Sequence, residues 1–163
     1  MNASPENLQK MELFQEVDQS TLLLSRKGVR ELVLTNSDRY YQLTSVFSCL
    51  ELINLHLRNC FFNPPLEFEG FLHLKRLYLQ NIVFRANLCG THINFPQLNK
   101  FVLRTSTDIY NFNIKATKLQ SLKIFNCSDG MLLQLLHSPH IINLDIYSSF
   151  QFQASIKGLV PVE

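Results

Sequence analysis

Histidine side chains are the groups in this sequence best suited to bind a metal or to act in catalysis. His137 and His140 are separated by Ser-Pro, which brings two imidazoles near each other. Pro139 interrupts any shared helical face, however, and no carboxylate or third histidine lies at a metal-binding spacing. His56 lacks the adjacent nucleophile and the orienting acid that a catalytic base needs. We therefore expect no metal site and no catalytic residue.

The four cysteines are also poorly placed for a metal or redox site, because none forms a C-x-x-C pair. Cys60 and Cys127 occupy equivalent positions three repeats apart, a separation of about 14 Å that a disulfide does not span. We interpret both as small apolar side chains. Cys49 and Cys89 lie between repeats and carry no feature of a nucleophile. With no glycine-rich phosphate loop and no hydrolase motif in the chain, we expect a protein that is not an enzyme and needs no cofactor.

The elements that position these side chains come from a sequence repeat. The template is apolar-x-x-apolar-x-apolar-x-x-small and recurs in steps of 21 to 24 residues, inside the range of leucine-rich repeats. Its eighth position is polar in every copy. Six copies begin at Val29, Leu52, Leu74, Leu98, Leu119 and Ile141. The apolar-x-apolar centre of each copy has the period of a strand with one buried face.

Stacking of these units would bury a continuous core, with the strands parallel to one another. The sequence therefore predicts an α/β fold, a right-handed leucine-rich repeat solenoid in the shape of an open horseshoe. We expect a parallel β-sheet on its concave face and mostly short or irregular convex returns. Prolines predict extended returns at 63–70 and 94–97. The return at 129–137 is the best candidate for a helix.

Three regions follow from the repeat boundaries. Residues 1–28 form a predicted N-terminal capping segment, residues 29–150 the leucine-rich repeat domain, and residues 151–163 a C-terminal tail or partial repeat. The capping segment is predicted to be helical over 5–27, because apolar or small residues recur there every three or four positions. Those residues are Met11, Phe14, Val17, Thr21 and Leu24. The last repeat has no such cover, so we expect its edge to be weak.

Composition excludes several classes of protein. The 163 residues are 46% hydrophobic and 17% charged, which is unlike a disordered chain. No apolar run approaches the roughly 18 residues of a membrane span, and the N-terminus lacks the basic and apolar regions of a secretory signal. The net charge of +2 does not identify a partner. We expect a cytoplasmic or nuclear protein with free thiols.

Several segments resemble the repeat region of plant F-box/LRR proteins, many of which also carry an FBD domain. The resemblance extends over about residues 20–150, and its motifs lie at 24–34, 49–60, 77–84 and 95–98. In that family an F-box docks the chain onto the adaptor of an SCF-type ubiquitin ligase, and the repeats are thought to choose the substrate. Residues 1–20 are too short for an F-box, and no complete FBD domain follows residue 150.

The resemblance implies a protein–protein interaction module, similar to the substrate-recognition repeats of such a ligase but without an F-box. The alternatives are a decoy or regulatory scaffold that does not lead to ubiquitination, and a truncated gene product. Nucleic-acid binding is disfavoured, and an enzyme has the least support. The adaptor would be a partner only of a longer form that carries an F-box.

The candidate binding surface is the face of the sheet that points away from the core. Template positions two, three, five and seven hold seven basic and two acidic residues, a net charge of +5. Aromatic side chains share this face, and aromatics together with Arg are frequent binding hot spots. We predict these binding residues: Arg58, Tyr78, Arg104, Phe125, His56, Arg76, Lys100, Lys123 and Tyr147. The expected partner is a protein with an acidic patch, not a membrane.

Overall fold

The computed structural model describes residues 17–37, 41–84, 92–108, 112–127, 132–136, 141–147 and 153–157. Helix α1 covers residues 17–26, and a short 3-10 turn covers Ser45–Ser48. The strands are β1 Glu31–Thr35, β2 Tyr41–Gln42, β3 Asn54–Phe62, β4 Arg76–Phe84, β5 His92–Asn94, β6 Lys100–Arg104, β7 Phe112–Lys115, β8 Ser121–Phe125, β9 Leu132–Leu136, β10 Asn143–Tyr147 and β11 Gln153–Lys157.

The main sheet contains one strand from each copy of the template. Its order is β1-β3-β4-β6-β8-β10, with β2 paired to β3, and every pairing is parallel. Template positions four and six point into the core, as the period of two requires. Leu55 and Leu57 on β3, for example, are buried, whereas Arg58 beyond them is exposed. The predicted solenoid with a parallel sheet is confirmed: the part of the chain that the structure describes is a parallel-strand β-solenoid with little helix.

The polar eighth position forms the bend at which the strands leave the main sheet. Asn59, Asn81, Thr105 and Asn126 occupy it, and all four have the left-handed backbone conformation, with φ between 45° and 58°. Asparagine tolerates this conformation better than most residues. Asn81 Nδ2 donates a hydrogen bond to Asn59 Oδ1 (2.6 Å), and Asn59 Nδ2 donates to the carbonyl oxygen of Asn36 (2.5 Å). These two hydrogen bonds join the bends of the first three repeats.

The returns form a second parallel sheet, in the order β11-β9-β7-β5. This corrects the prediction of a helical return at 129–137, because residues 132–136 are strand β9, paired with both β7 and β11. The extended return predicted at 94–97 is correct only at its start, where β5 ends at Asn94, because Pro96 and Gln97 form a turn. Residues 63–70 are not helical, as predicted. The second sheet also shows that the later returns are more regular than expected.

Helix α1 ends at a glycine and is attached to the 3-10 turn. Gly28 has φ +66°, and the hydrogen bonds from Gly28 N to Ser25 O and from Val29 N to Leu24 O close the helix. Asp18 accepts hydrogen bonds from the backbone of Thr44 and Ser45 and from the Thr44 hydroxyl.

The predicted apolar face of this helix is correct only at Thr21, which is buried. Val17 and Leu24 are exposed, and Met11 and Phe14 lie outside the described residues. The three domain boundaries remain predictions.

The C-terminal end of the main sheet differs from its centre in burial. Leu122 on β8 is fully buried, whereas its neighbour Leu144 on the terminal strand β10 is 45% exposed. Ile146 on β10 is half-buried, whereas its neighbour Ile124 on β8 is fully buried. Within the described residues, no helix is long and apolar enough to cross a membrane.

Candidate protein-binding surface

The predicted binding residues lie in three adjacent columns on the outward face of the main sheet. Strand register aligns template positions three, five and seven across all six strands. The position-five column is Val33, His56, Tyr78, Val102, Lys123 and Asp145. The position-seven column is Thr35, Arg58, Gln80, Arg104, Phe125 and Tyr147. We call these columns, together with position three, the outward face.

A cavity of about 390 Å³ opens at the centre of the outward face. His56 and Tyr78 line it side by side, with ring centroids 5.7 Å apart. Lys100 Nζ lies 5.4 Å from the centroid of the Tyr78 ring, within the range of a cation–π interaction. Arg104 and Lys123 contribute further positive charge to the lining. The structure thus brings together five of the nine predicted residues around one concavity.

A second cluster lies beside this cavity, towards β10. The Phe125 and Tyr147 rings stack in parallel, with centroids 5.4 Å apart and an interplanar angle of 3°. The guanidinium carbon of Arg104 lies 4.8 Å from the Phe125 centroid. Arg104 therefore links the two clusters, because it lines the cavity and also contacts the aromatic stack. Tyr147 remains 62% exposed and is available for contact.

Two of the predicted basic residues have polar partners within the sheet. Lys123 Nζ forms an ion pair with Asp145 Oδ2 on the neighbouring strand (2.6 Å). Arg76 Nε donates a hydrogen bond to Asn54 Oδ1 (2.6 Å), and Asn54 Nδ2 donates to Glu31 Oε1 (2.5 Å). Both of the face's acidic residues are therefore already engaged. Lys123 is neutralised by its ion pair, whereas the neutral amide of Asn54 leaves the charge of Arg76 intact. The charge offered to a partner therefore comes chiefly from Arg58, Arg76, Lys100 and Arg104.

The remaining predicted residues lie outside the cavity. Arg58 is exposed on β3 and is separated from Arg104 by Gln80 in the same column. Gln80 and Val102 line the cavity and were not among the predicted residues. Their template positions, seven and five in the two central repeats, are the signal that would have identified them. Val102 is buried although it points outward, because larger side chains surround it.

The cysteines described by the structure are free and buried. Burial raises the pKa of the Cys49 thiol to about 11 and that of Cys60 to about 12, and it also raises the pKa of Cys127. The interpretation of Cys60 and Cys127 as small apolar side chains is confirmed. Cys89, His137 and His140 lie outside the described residues. Within the described ranges, no group of three or more His, Cys, Asp or Glu is placed to hold a metal ion.

Comparison with known proteins supports the repeat assignment. An F-box/FBD/LRR-repeat protein of Arabidopsis thaliana is 34% identical to the chain over 132 residues. The chain is homologous to a plant F-box/FBD/LRR-repeat protein, in agreement with the resemblance seen in its sequence. The aligned part covers 80% of the chain but only 31% of the relative, so the chain spans less than a third of the relative's length. No solved structure matches the chain.

A second comparison gives a different result. Residues 14–120 match the family model described as the baseplate hub distal subunit. This segment contains the first four copies of the template. The plant relative agrees better with the sequence pattern, because the name of that protein includes the leucine-rich repeats that the template independently indicates. The description of the hub family has no counterpart in the sequence pattern.

Proposed function

We propose that the chain is a protein-interaction module that recognises a protein with an acidic patch through its outward face. In this proposal the main sheet is the concave side of a leucine-rich repeat horseshoe, and the module binds without performing chemistry. The F-box relative supports a more specific role, in which these repeats select substrates for an SCF-type ubiquitin ligase. The F-box that docks on the adaptor would belong to a longer form.

The observation that carries this proposal is the arrangement of cations on aromatic rings across the sheet. Lys100 lies over Tyr78, and Arg104 lies over Phe125. Each ring limits the freedom of the cation that it contacts, so less side-chain entropy is lost when a carboxylate binds. Because neighbouring strands hold these groups at fixed spacings, they are ordered before any partner arrives.

Capture of partners from plant-cell extract tests the interaction itself. After nuclease treatment, the tagged 163-residue chain should retain a reproducible set of proteins with acidic surfaces. About 1 M salt should release them, because the Debye length then falls to about 3 Å. Retention that depends on intact nucleic acid, or no specific retention at all, would refute a protein-binding face.

The cellular abundance of the captured proteins distinguishes a substrate receptor from a decoy. A full-length transcript with an in-frame F-box predicts a product that co-purifies with the SCF adaptor and lowers the abundance of those proteins. A decoy predicts that expression of the 163-residue chain alone leaves their abundance unchanged or raises it. A decrease caused by the short chain alone would contradict both roles.

A further inference from the structure

A second concavity, with the opposite charge, lies among the returns. It has a volume of about 660 Å³, within the range of ligand and peptide pockets. The 3-10 turn and the following residues form one side, and the segment 65–73 forms the other. We call this concavity the return groove. It shares no lining residue with the cavity on the outward face.

The floor of the return groove is a packed aromatic cluster. The Phe47 and Phe68 rings meet edge to face with centroids 5.0 Å apart, and Phe68 meets Phe71 in the same way at 4.8 Å. Phe47 and Phe71 are buried in the core, so the floor is held in place by the solenoid. Leu50 and Leu72 line the groove and are 55% and 54% exposed. A partner would therefore meet a fixed apolar surface.

The rim of the return groove is acidic. Glu51, Glu67 and Glu69 line it, and all three are exposed. Among the described residues, the lining contains no Lys or Arg, and His73 is its one basic side chain. Arg30 and Lys75 line an adjoining cavity of about 280 Å³, which shares Glu51 and His73 with the return groove. An apolar floor inside a ring of carboxylates complements an apolar side chain with cations on either side.

We propose that the return groove binds a peptide segment in which apolar residues are flanked by Lys or Arg. The apolar side chains would cover Phe68, Leu50 and Leu72, which removes exposed apolar area from water. The flanking cations would meet Glu67 and Glu69. This site is independent of the outward face, which carries the opposite charge and is proposed to bind an acidic partner.

The test uses the complete 163-residue chain and two fluorescein-labelled decapeptides in fluorescence anisotropy titrations. One peptide has a Leu-Phe centre flanked by two lysines on each side, and the other has glutamates in place of the lysines. We expect the lysine peptide to bind at least ten-fold more tightly. Glu67→Lys combined with Glu69→Lys should reverse this preference, a gain of function that a misfolded variant would not show. Leu72→Asp should weaken binding of both peptides.

The matched control is Arg58→Glu combined with Arg104→Glu, which should leave binding of the lysine peptide within two-fold of wild type. This control separates failure of the groove from failure of the outward face. The proposal is wrong if the lysine peptide does not bind at up to ~1 mM, or if the Glu67/Glu69 variant keeps the original preference. It is also wrong if sedimentation shows a dimer that those two substitutions dissociate, because the occupant would then be a second copy of the chain.

Discussion

At the residue scale, the polar side chains at the eighth template position form contacts that the sequence pattern does not predict. The polar eighth position predicts a bend, and the left-handed backbone of Asn59, Asn81, Thr105 and Asn126 agrees with that prediction. The hydrogen bond from Asn81 to Asn59 is different, because it depends on two residues 22 positions apart adopting matched rotamers. A pattern of residue types contains no information on rotamers, so this contact becomes visible only in the folded chain.

The buried Cys60 thiol should make the stability of the fold depend on alkaline pH. Burial raises its pKa to about 12, whereas an unfolded thiol has a pKa of about 9. The stabilising contribution is complete below pH 9 and is lost as pH rises from 9 towards 12, because the unfolded state then releases a proton that the folded state retains. The free energy of unfolding, measured in urea, should decrease with rising pH less steeply in Cys60→Ala than in the wild type. The two slopes should differ by about 1 kcal/mol per pH unit.

The comparison rests on the slope alone, because Cys60→Ala also leaves a cavity that lowers stability at every pH. All other titratable groups are the same in both proteins, so their effects on the slope cancel. Equal slopes for the wild type and the variant would show that the thiol is not held neutral by the fold.

At the element scale, the strands of the main sheet could be predicted and the returns could not. Leu55 and Leu57 alternate with polar residues, so their sequence alone specifies one buried face. The return strand β9 is Leu-Leu-Gln-Leu-Leu, a pattern that fits a helix and a strand equally well. Its partners β7 and β11, each some 20 residues away, supply the backbone hydrogen bonds that decide for the strand. Such long-range pairing has no local signal.

Gly70 allows the return that follows β3 to pass close to strand β5. It has φ +134°, and a Cβ at this position would clash with the backbone carbonyl of Asn94. We expect Gly70→Ala to lower the free energy of unfolding by about 3 kcal/mol, because the backbone and the contact must both change. Gly28→Ala is the matched control, since its Cβ would meet nothing closer than Glu51 Cγ at 3.9 Å. Its φ of +66° carries a cost of about 1 kcal/mol.

Chemical denaturation of the two glycine variants measures both values in the same experiment. A Gly70→Ala variant no less stable than Gly28→Ala would mean that the return does not approach β5 as closely as described.

The terminal strand β10 should open more readily than the central strands. Leu144 is exposed and Ile146 is half-buried, whereas the corresponding core-facing residues of β4, β6 and β8 are buried. Amide hydrogen exchange measured by mass spectrometry should therefore be faster in residues 141–147 than in 76–125. Equal protection of the two segments would indicate that another surface pairs with β10.

At the scale of the whole molecule, a net charge of +2 conceals two surfaces of opposite sign. The outward face has five basic and two acidic residues, whereas the described residues that line the return groove include three glutamates and no Lys or Arg. The basic face could be predicted, because strand periodicity assigns each template position to one side of the sheet. The groove could not, since Phe68 and Leu50 come together only when the first return folds against the 3-10 turn.

At the candidate site, the sequence predicts which residues share a column but not which side chains contact each other. Columns could be derived from the repeat, so the alignment of His56 with Tyr78 and of Arg104 with Phe125 follows from sequence. Contacts within a column depend on side-chain length and rotamer. For that reason the pairing of Lys123 with Asp145, which removes one cation from the available charge, appears only in the structure.

Charge reversal on the outward face tests the central claim most directly. Arg58→Glu combined with Arg104→Glu is compared with Lys115→Glu combined with Lys118→Glu, which makes the same change in net charge on exposed positions of the returns. Circular dichroism and thermal unfolding establish that each variant is folded, and quantitative mass spectrometry measures the proteins that each retains from plant-cell extract. We predict that the Arg58/Arg104 variant loses its partners at least ten-fold while the Lys115/Lys118 variant keeps them. Retention by the Arg58/Arg104 variant, with loss in the Lys115/Lys118 variant, would contradict binding by the outward face.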